Sequence, residues 1–230
     1  MGVVSVHQYP IPDGKTGQQV IEHLNKCLLT LGAQKTGTFT VDCETYNSAP
    51  NINPPRILNI IHNSEHPASC FALLDTGTCL VCDTNFDQIM LTVSGLYSAK
   101  KSAKIESKGT RFQINDFIVK VGSVTVGPSF RGILIEVEYG PCVVANYCWD
   151  LMREFMGSFI AAPRDPHQYL QAKMNEPFTP IDTIQQYNDH FNALRKANVA
   201  SIVATTPTHQ ANSGRSTPSS IVQQPIASKQ

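Results

Sequence analysis

"RFQINDFIVKVGSVTVGPSFRGILIEVEYG", residues 111–140, alternates apolar and polar side chains along most of its length. A period of two is the mark of a β-strand, in which successive side chains leave opposite faces. Phe112 and Ile114 share one parity and Phe117, Val119 and Val121 the other. The switch at Asn115-Asp116 is what a bulge or a tight turn requires. "GPSFRG" then links two long strands as a hairpin. Beyond it Ile133, Ile135, Val137 and Tyr139 read as a core face. Glu136 and Glu138 fall on the opposite face, which the pattern assigns to solvent.

Other segments repeat the signal. "GTFTVDCETY" (37–46) puts Phe39, Val41 and Cys43 on one face, with Thr40, Asp42 and Glu44 on the other. The shorter apolar runs "RILNIIH", "SCFALLD" and "TCLVCD" are bounded by turn residues and also read as strands. Few linkers are long enough for parallel crossovers, so an antiparallel arrangement is expected. A strongly curved sheet or closed barrel fits best, because closure removes the sheet's edges.

Helical periodicity appears in four places. In "QQVIEHLNKCLLTLG" (18–32) Val20, Leu24, Cys27, Leu28 and Leu31 form a stripe, and Gly32 stands at a C-terminal cap. "NFDQIMLTVSGLY" (85–97) puts Phe86, Ile89, Met90 and Val93 on one face behind the capping candidates Asp83, Thr84 and Asn85. "TPIDTIQQYNDHFNALRKA" (179–197) opens with Thr179 as N-cap, Pro180 in the first turn and Asp182 as capping-box acid. Its stripe is Ile181, Ile184, Phe191 and Leu194, and Arg195 and Lys196 suit the negative end of the helix dipole. "NYCWDLMREFMGSFI" (146–160) is apolar around most of its circumference. The rest reads as loops at 47–55 and 161–178, and a tail rich in Ser, Thr, Pro and Gln. One α+β domain is therefore expected over residues 1–198, followed by a disordered tail over 199–230.

Composition narrows the function. The chain of 230 residues is 41% apolar and 16% charged, enough for a core without a metal or disulfide staple. Eighteen basic residues balance eighteen acidic ones, which argues against a general nucleic-acid binder. No apolar run approaches a membrane span, and no signal peptide is expected at the N-terminus. Gly2 lacks the serine or threonine at position 6 that myristoylation favours, because Val6 stands there. Seven cysteines, an odd number, suit a reducing compartment.

Three segments invite a chemical reading. Cys79 and Cys82 have the C-x-x-C spacing of a redox pair or half a zinc site. Leu80 and Val81 between them favour a strand, which points the two thiols to opposite faces, and no second C-x-x-C occurs. The pair is expected to pack in the core. Glu136 and Glu138 form E-V-E, which on a barrel strand can hold a divalent metal, as in triphosphate-tunnel hydrolases. Those enzymes place a lysine two residues on, where this chain has Gly140. Lys100, Lys101, Lys104, Lys108 and Arg111 form a basic run without the aromatic residues that would stack bases, so a solvated connection is expected. Walker, Rossmann and nucleophile-elbow motifs are missing. In the 146–160 helix Cys148, Leu151, Met152, Phe155 and Phe159 can cover the sheet, and Trp149 and Met156 widen the apolar surface. Trp149, Met152, Phe155 and Met156 are the candidate partner interface.

These segments resemble the Mediator complex subunit 20 family of the RNA polymerase II coactivator. The resemblance rests on "GTFTVDCETY", "HNSEHPASCFALL", "DTNFD", "KIESKGTRFQINDFIVKVGSVTVGPSFRGILIEVEYGPCVVA" and "CWDLMREF", in order between Gly2 and Lys196. It implies a barrel-like antiparallel sheet flanked by helices, related to Mediator subunit 18 and to triphosphate-tunnel barrels without their active site. It further implies a nuclear, non-catalytic subunit of the head module with no cofactor. Such a subunit pairs with subunit 18, is tethered through subunit 8, and reaches RNA polymerase II indirectly. The competing expectation is a metal-dependent phosphohydrolase using Glu136 and Glu138.

Overall fold

The computed structural model describes residues 2–100, 104–160 and 165–204. In chain order the elements are β1 (Val3–Tyr9), α1 (Gly17–Thr30), β2 (Gln34–Ser48), β3 (Ile57–Asn63), β4 (Ser69–Leu74) and β5 (Cys79–Asp83). Then come α2 (Phe86–Thr92), β6 (Tyr97–Ala99), β7 (Ile105–Ile114), β8 (Phe117–Val126) and β9 (Ser129–Tyr139). The chain continues through α3 (Trp149–Gly157), α4 (Gln168–Gln171) and α5 (Pro180–Ala204). The last part of the expected tail, residues 205–230, lies outside the described residues.

The strands form one sheet in the order β1-β9-β8-β7-β2-β3-β4-β5, with β6 paired to β2. Every pairing is antiparallel. The parity switch at Asn115-Asp116 is the turn between β7 and β8, where Asn115 takes φ 49°. Asparagine tolerates that left-handed geometry better than most side chains. The β8–β9 hairpin turns on Gly127-Pro128, and a bulge near Val124 and Thr125 shifts its register by one residue.

The sheet curls but does not close, since β1 and β5 end the order as edges. Curvature follows from what α5 touches: Gln186 bonds β1, and Asn188 accepts from the Asn59 side chain on β3. β1 and β3 stand five strand spacings apart, about 24 Å on a flat sheet. A helix about 10 Å across reaches both only if the sheet wraps around it. Helix α5 thus fills the space that a closed barrel would enclose. On that inner face Val4, Val6, Phe39, Val41, Ile61, Phe71 and Leu134 pack against Ile184, Tyr187, Phe191 and Leu194.

The outer face carries α1 and α3 at one end and α2 at the other. Val119, Val121, Ile133, Ile135 and Val137 meet Val20, Leu24 and Leu28 of α1 and Met152 and Met156 of α3. Tyr46, Leu58, Ile60, Cys70 and Ala72 meet Met90 of α2. Helix α1 starts with a complete capping box, Thr16 accepting from the Gln19 amide and the Gln19 side chain accepting from the Thr16 amide. Gly32 follows its end at φ 92°. Thr16→Ala removes one arm of the box and is expected to cost about 1 kcal/mol, read as a lower midpoint in urea unfolding.

Two expectations are corrected here, and one strand goes unforeseen in the sequence. The helix expected over 85–97 is shorter, because Tyr97–Ala99 leave it to pair with β2. The 161–178 loop contains α4, whose Leu170 is buried in the outer core cluster. β1 carries no clean alternation in sequence because both of its faces are covered: Val3 joins the outer core, and Val4 and Val6 the inner.

The β1 edge is closed by α5. The Val6 amide donates to Gln186 Oε1 at 2.9 Å, and Gln186 Nε2 donates to the Val4 carbonyl at 3.1 Å. His190 Nε2 bonds the Val6 carbonyl at 3.0 Å. One side-chain amide thereby takes the place of the next strand.

Candidate functional site

The bulged β8–β9 register places Lys120 opposite Glu136. Lys120 Nζ lies 2.8 Å from Glu136 Oε1, and the Tyr187 hydroxyl of α5 donates to Oε2 at 2.7 Å. Lys120 is also 3.4 Å from Glu65 Oε1, which Arg111 approaches at the same distance. Lys120 and Glu136 are each only 2% exposed. The expectation that Glu136 stands in solvent is therefore corrected: α5 covers the inner face. Glu138, nearer the strand end, is half-buried and accepts from the Gly2 amide at 2.8 Å. A cleft of about 250 Å³, lined by Asn63, Glu65, His66, Lys120, Glu136 and Glu138 among others, opens over the pair.

Burial pulls the Lys120 pKa down, but the Glu136 carboxylate and then Glu65 outweigh it, so the ammonium stays charged. Burial, with Glu136 beside it, pushes the Tyr187 phenol well above its ordinary value, and it remains a neutral donor. A divalent cation held by E-V-E needs free carboxylate oxygens. Here Lys120 and Tyr187 take one oxygen each of Glu136, so the residues present do not fit a metal. Among the described residues no group of three or more His, Cys, Asp or Glu side chains is arranged to hold one. The arrangement is a structural ion pair that ties β8 and β9 to α5.

Cys79 and Cys82 sit on strand β5, and their thiols face different clusters, Cys79 the inner core and Cys82 the α2 side. The opposite-face reading holds, but the core-strand expectation does not. β5 is an edge strand, and Leu80 and Val81 are 52% and 58% exposed. Burial pushes the Cys79 thiol up to about 11 and raises Cys82 as well, the reverse of what a reactive thiolate needs.

Trp149, Met152 and Met156 are buried in the chain's own outer core, and half-buried Phe155 stacks on Phe117 with centroids 3.9 Å apart. The extra apolar surface seen in sequence is taken up by the sheet, by Phe159 and Ile160, and by Leu170 of α4. What α3 and the turn before it leave exposed is Leu151 and Tyr147. The basic run is dispersed along strand β7 and its approach. Lys104 pairs with Asp42 at 2.8 Å, Arg111 with Glu65 and with the Thr36 hydroxyl, and Lys100 and Lys108 are exposed. Lys101 lies outside the described residues.

A feature missed in sequence is His62 on β3, whose Nδ1 is 3.3 Å from Asp42 and whose Nε2 is 3.2 Å from Asp87 of α2. The bond to Asp42 raises its pKa above the ordinary 6.5 against partial burial, with Asp87 acting in the same direction. Lys104, facing the same carboxylate, acts against it. A raised folded pKa contributes stability that is complete below 6.5 and is lost as pH rises through the folded value. Asp42 itself titrates below its ordinary 3.8, outside that window. Solvent screening limits the effect to about 0.5 kcal/mol. Urea unfolding as a function of pH is expected to show this decline in the wild type and not in His62→Gln.

The chain matches the family model described as "TATA-binding related factor (TRF) of subunit 20 of Mediator complex" over residues 1–192. It is 49% identical over 203 residues to the Mus musculus protein named Mediator of RNA polymerase II transcription subunit 20, covering 85% of this chain and 95% of that one. The Anopheles gambiae protein of the same name is 46% identical over 216 residues, covering 88% and 98%. Among solved structures, the PH1012 protein from Pyrococcus horikoshii OT3 superposes with a TM-score of 0.41 at 8% identity, covering 69% of this chain and 90% of that one.

Proposed function

The chain belongs to the Mediator subunit 20 family, and from that membership we propose that it is a non-catalytic structural subunit of Mediator, acting in the nucleus as a transcription coregulator. It pairs with subunit 18 in the head module, connects to the rest through subunit 8, and passes regulatory signals to RNA polymerase II. The observation that carries this reading is identity near one residue in two along nearly the whole described domain.

The interior supports the non-catalytic part. The carboxylate best placed for metal chemistry is held by an ammonium and a phenol, and the C-x-x-C thiols are raised rather than lowered. The test is a tagged pull-down of the full chain from nuclear extract, read by mass spectrometry. Recovery of Mediator subunits with subunit 18 among them is expected. Recovery of none would overturn the reading, and recovery of Mediator without subunit 18 would overturn the pairing.

A further inference from the structure

The two edges of the sheet are treated differently. Gln186 and His190 bond the Val4 carbonyl and the Val6 amide and carbonyl on the outer edge of β1. Among the described residues β5 pairs with β4 alone. The Leu74 amide donates to the Thr78 carbonyl at 2.9 Å, which fixes the alternation along the hairpin. Leu80 and Cys82 then exchange bonds with β4, while the amides and carbonyls of Cys79 and Val81 point away from the sheet.

Edges facing water are ordinarily guarded by lysine, proline or a bulge. β5 reads Cys-Leu-Val-Cys-Asp and has none of these. Leu80 and Val81 are exposed on opposite faces, so an added strand would bury both. Asp83 is the strand's one ionic side chain, and it is exposed.

We infer that the β5 edge is a docking site for an extended segment of a partner protein, which joins the sheet as a further strand with apolar side chains beside Leu80 and Val81 and a lysine or arginine facing Asp83. The outward donors and acceptors of alternate residues along this strand are met fully only by another extended backbone, which selects a strand over a helix. Opposite charges across neighbouring strands favour a basic residue at Asp83. The inference rests on the proposed membership of a multi-protein assembly, and adds to it where on this chain a neighbour binds and in what conformation.

The experiment is hydrogen–deuterium exchange on the full chain, free and within the Mediator assembly purified through a tag on it. The Cys79 and Val81 amides are expected to slow about tenfold or more in the assembly, while those of Leu80 and Cys82, already bonded to β4, change little. Val81→Pro removes one outward donor and leaves the β4 ladder intact, since proline is tolerated on an edge. Its retention in the assembly is expected to fall about threefold to tenfold, with an unchanged melting temperature.

Recovery of the assembly with Cys79 and Val81 exchanging as fast as in the free chain overturns the docking site and leaves the membership standing. Failure to recover any assembly overturns both. A concentration-dependent dimer of the free chain that protects the same amides reassigns the edge to a second copy and overturns the partner.

Discussion

Lys120→Met is expected to lower unfolding stability by about 3–5 kcal/mol. The ammonium lies 2.8 Å from Glu136 and 3.4 Å from Glu65, beneath a sheet face that α5 has already covered. Removing it strands the Glu136 carboxylate in a site 2% exposed, with the Tyr187 hydroxyl as its remaining donor. Methionine matches the length of the lysine stem, so the loss would come from the uncompensated charge and not from a cavity.

A second variant separates the two. Lys120→Met combined with Glu136→Met and Tyr187→Phe removes the charges and the phenol together, and most of the lost stability is expected to return. Urea unfolding of the three proteins measures this. A loss under about 1 kcal/mol in the single variant would mean that water entering through the cleft solvates Glu136, making the pair no more than a surface bridge.

Why that pair escaped a reading of the sequence is a matter of register. Counted outward from the Gly127-Pro128 turn without a bulge, Lys120 falls opposite Ile135. The extra residue near Val124 and Thr125 moves it opposite Glu136. The strands were plain in the alternation of 111–140, and so was the tight turn at Asn115-Asp116. What alternation cannot say is whether the polar face meets water. Here it meets α5, whose buried side chains include Thr183, Gln186 and Asn188 beside Ile184 and Phe191. The stripe of Ile181, Ile184, Phe191 and Leu194 marks α5 as amphipathic, but the polar side chains buried beside it hide that the helix lies inside the sheet. β1 was hidden for the opposite reason: with both faces covered, "VVSVHQY" shows no clean alternation.

The sequence of α3 is apolar around most of its circumference, but composition does not fix where that surface goes. Trp149 and Met156 suit an interface as well as a core, and only the fold decides between them. Trp149→Glu with Met156→Glu is therefore expected to abolish folding rather than detach a partner. Met156 is fully buried and Trp149 nearly so, packed among the outer strands, α1 and the 159–160 turn. Each buried, unpaired carboxylate costs several kcal/mol, and two exhaust the roughly 5–15 kcal/mol that a domain of this kind commands. The variant should lose its cooperative thermal transition in circular dichroism and be recovered mainly as aggregate. Tyr147→Glu with Leu151→Glu provides the contrast, because these side chains are 82% and 45% exposed. That variant should melt within a few degrees of the wild type, a shift corresponding to about 1 kcal/mol or less. A cooperative melt in the Trp149 and Met156 variant would show that α3 leaves the sheet easily, and would return those two side chains to the candidate interface. If that variant unfolds, its failure to co-purify with other subunits says nothing about contacts, and only a loss of co-purification in the folded Tyr147 and Leu151 variant would place a partner on this flank of the molecule.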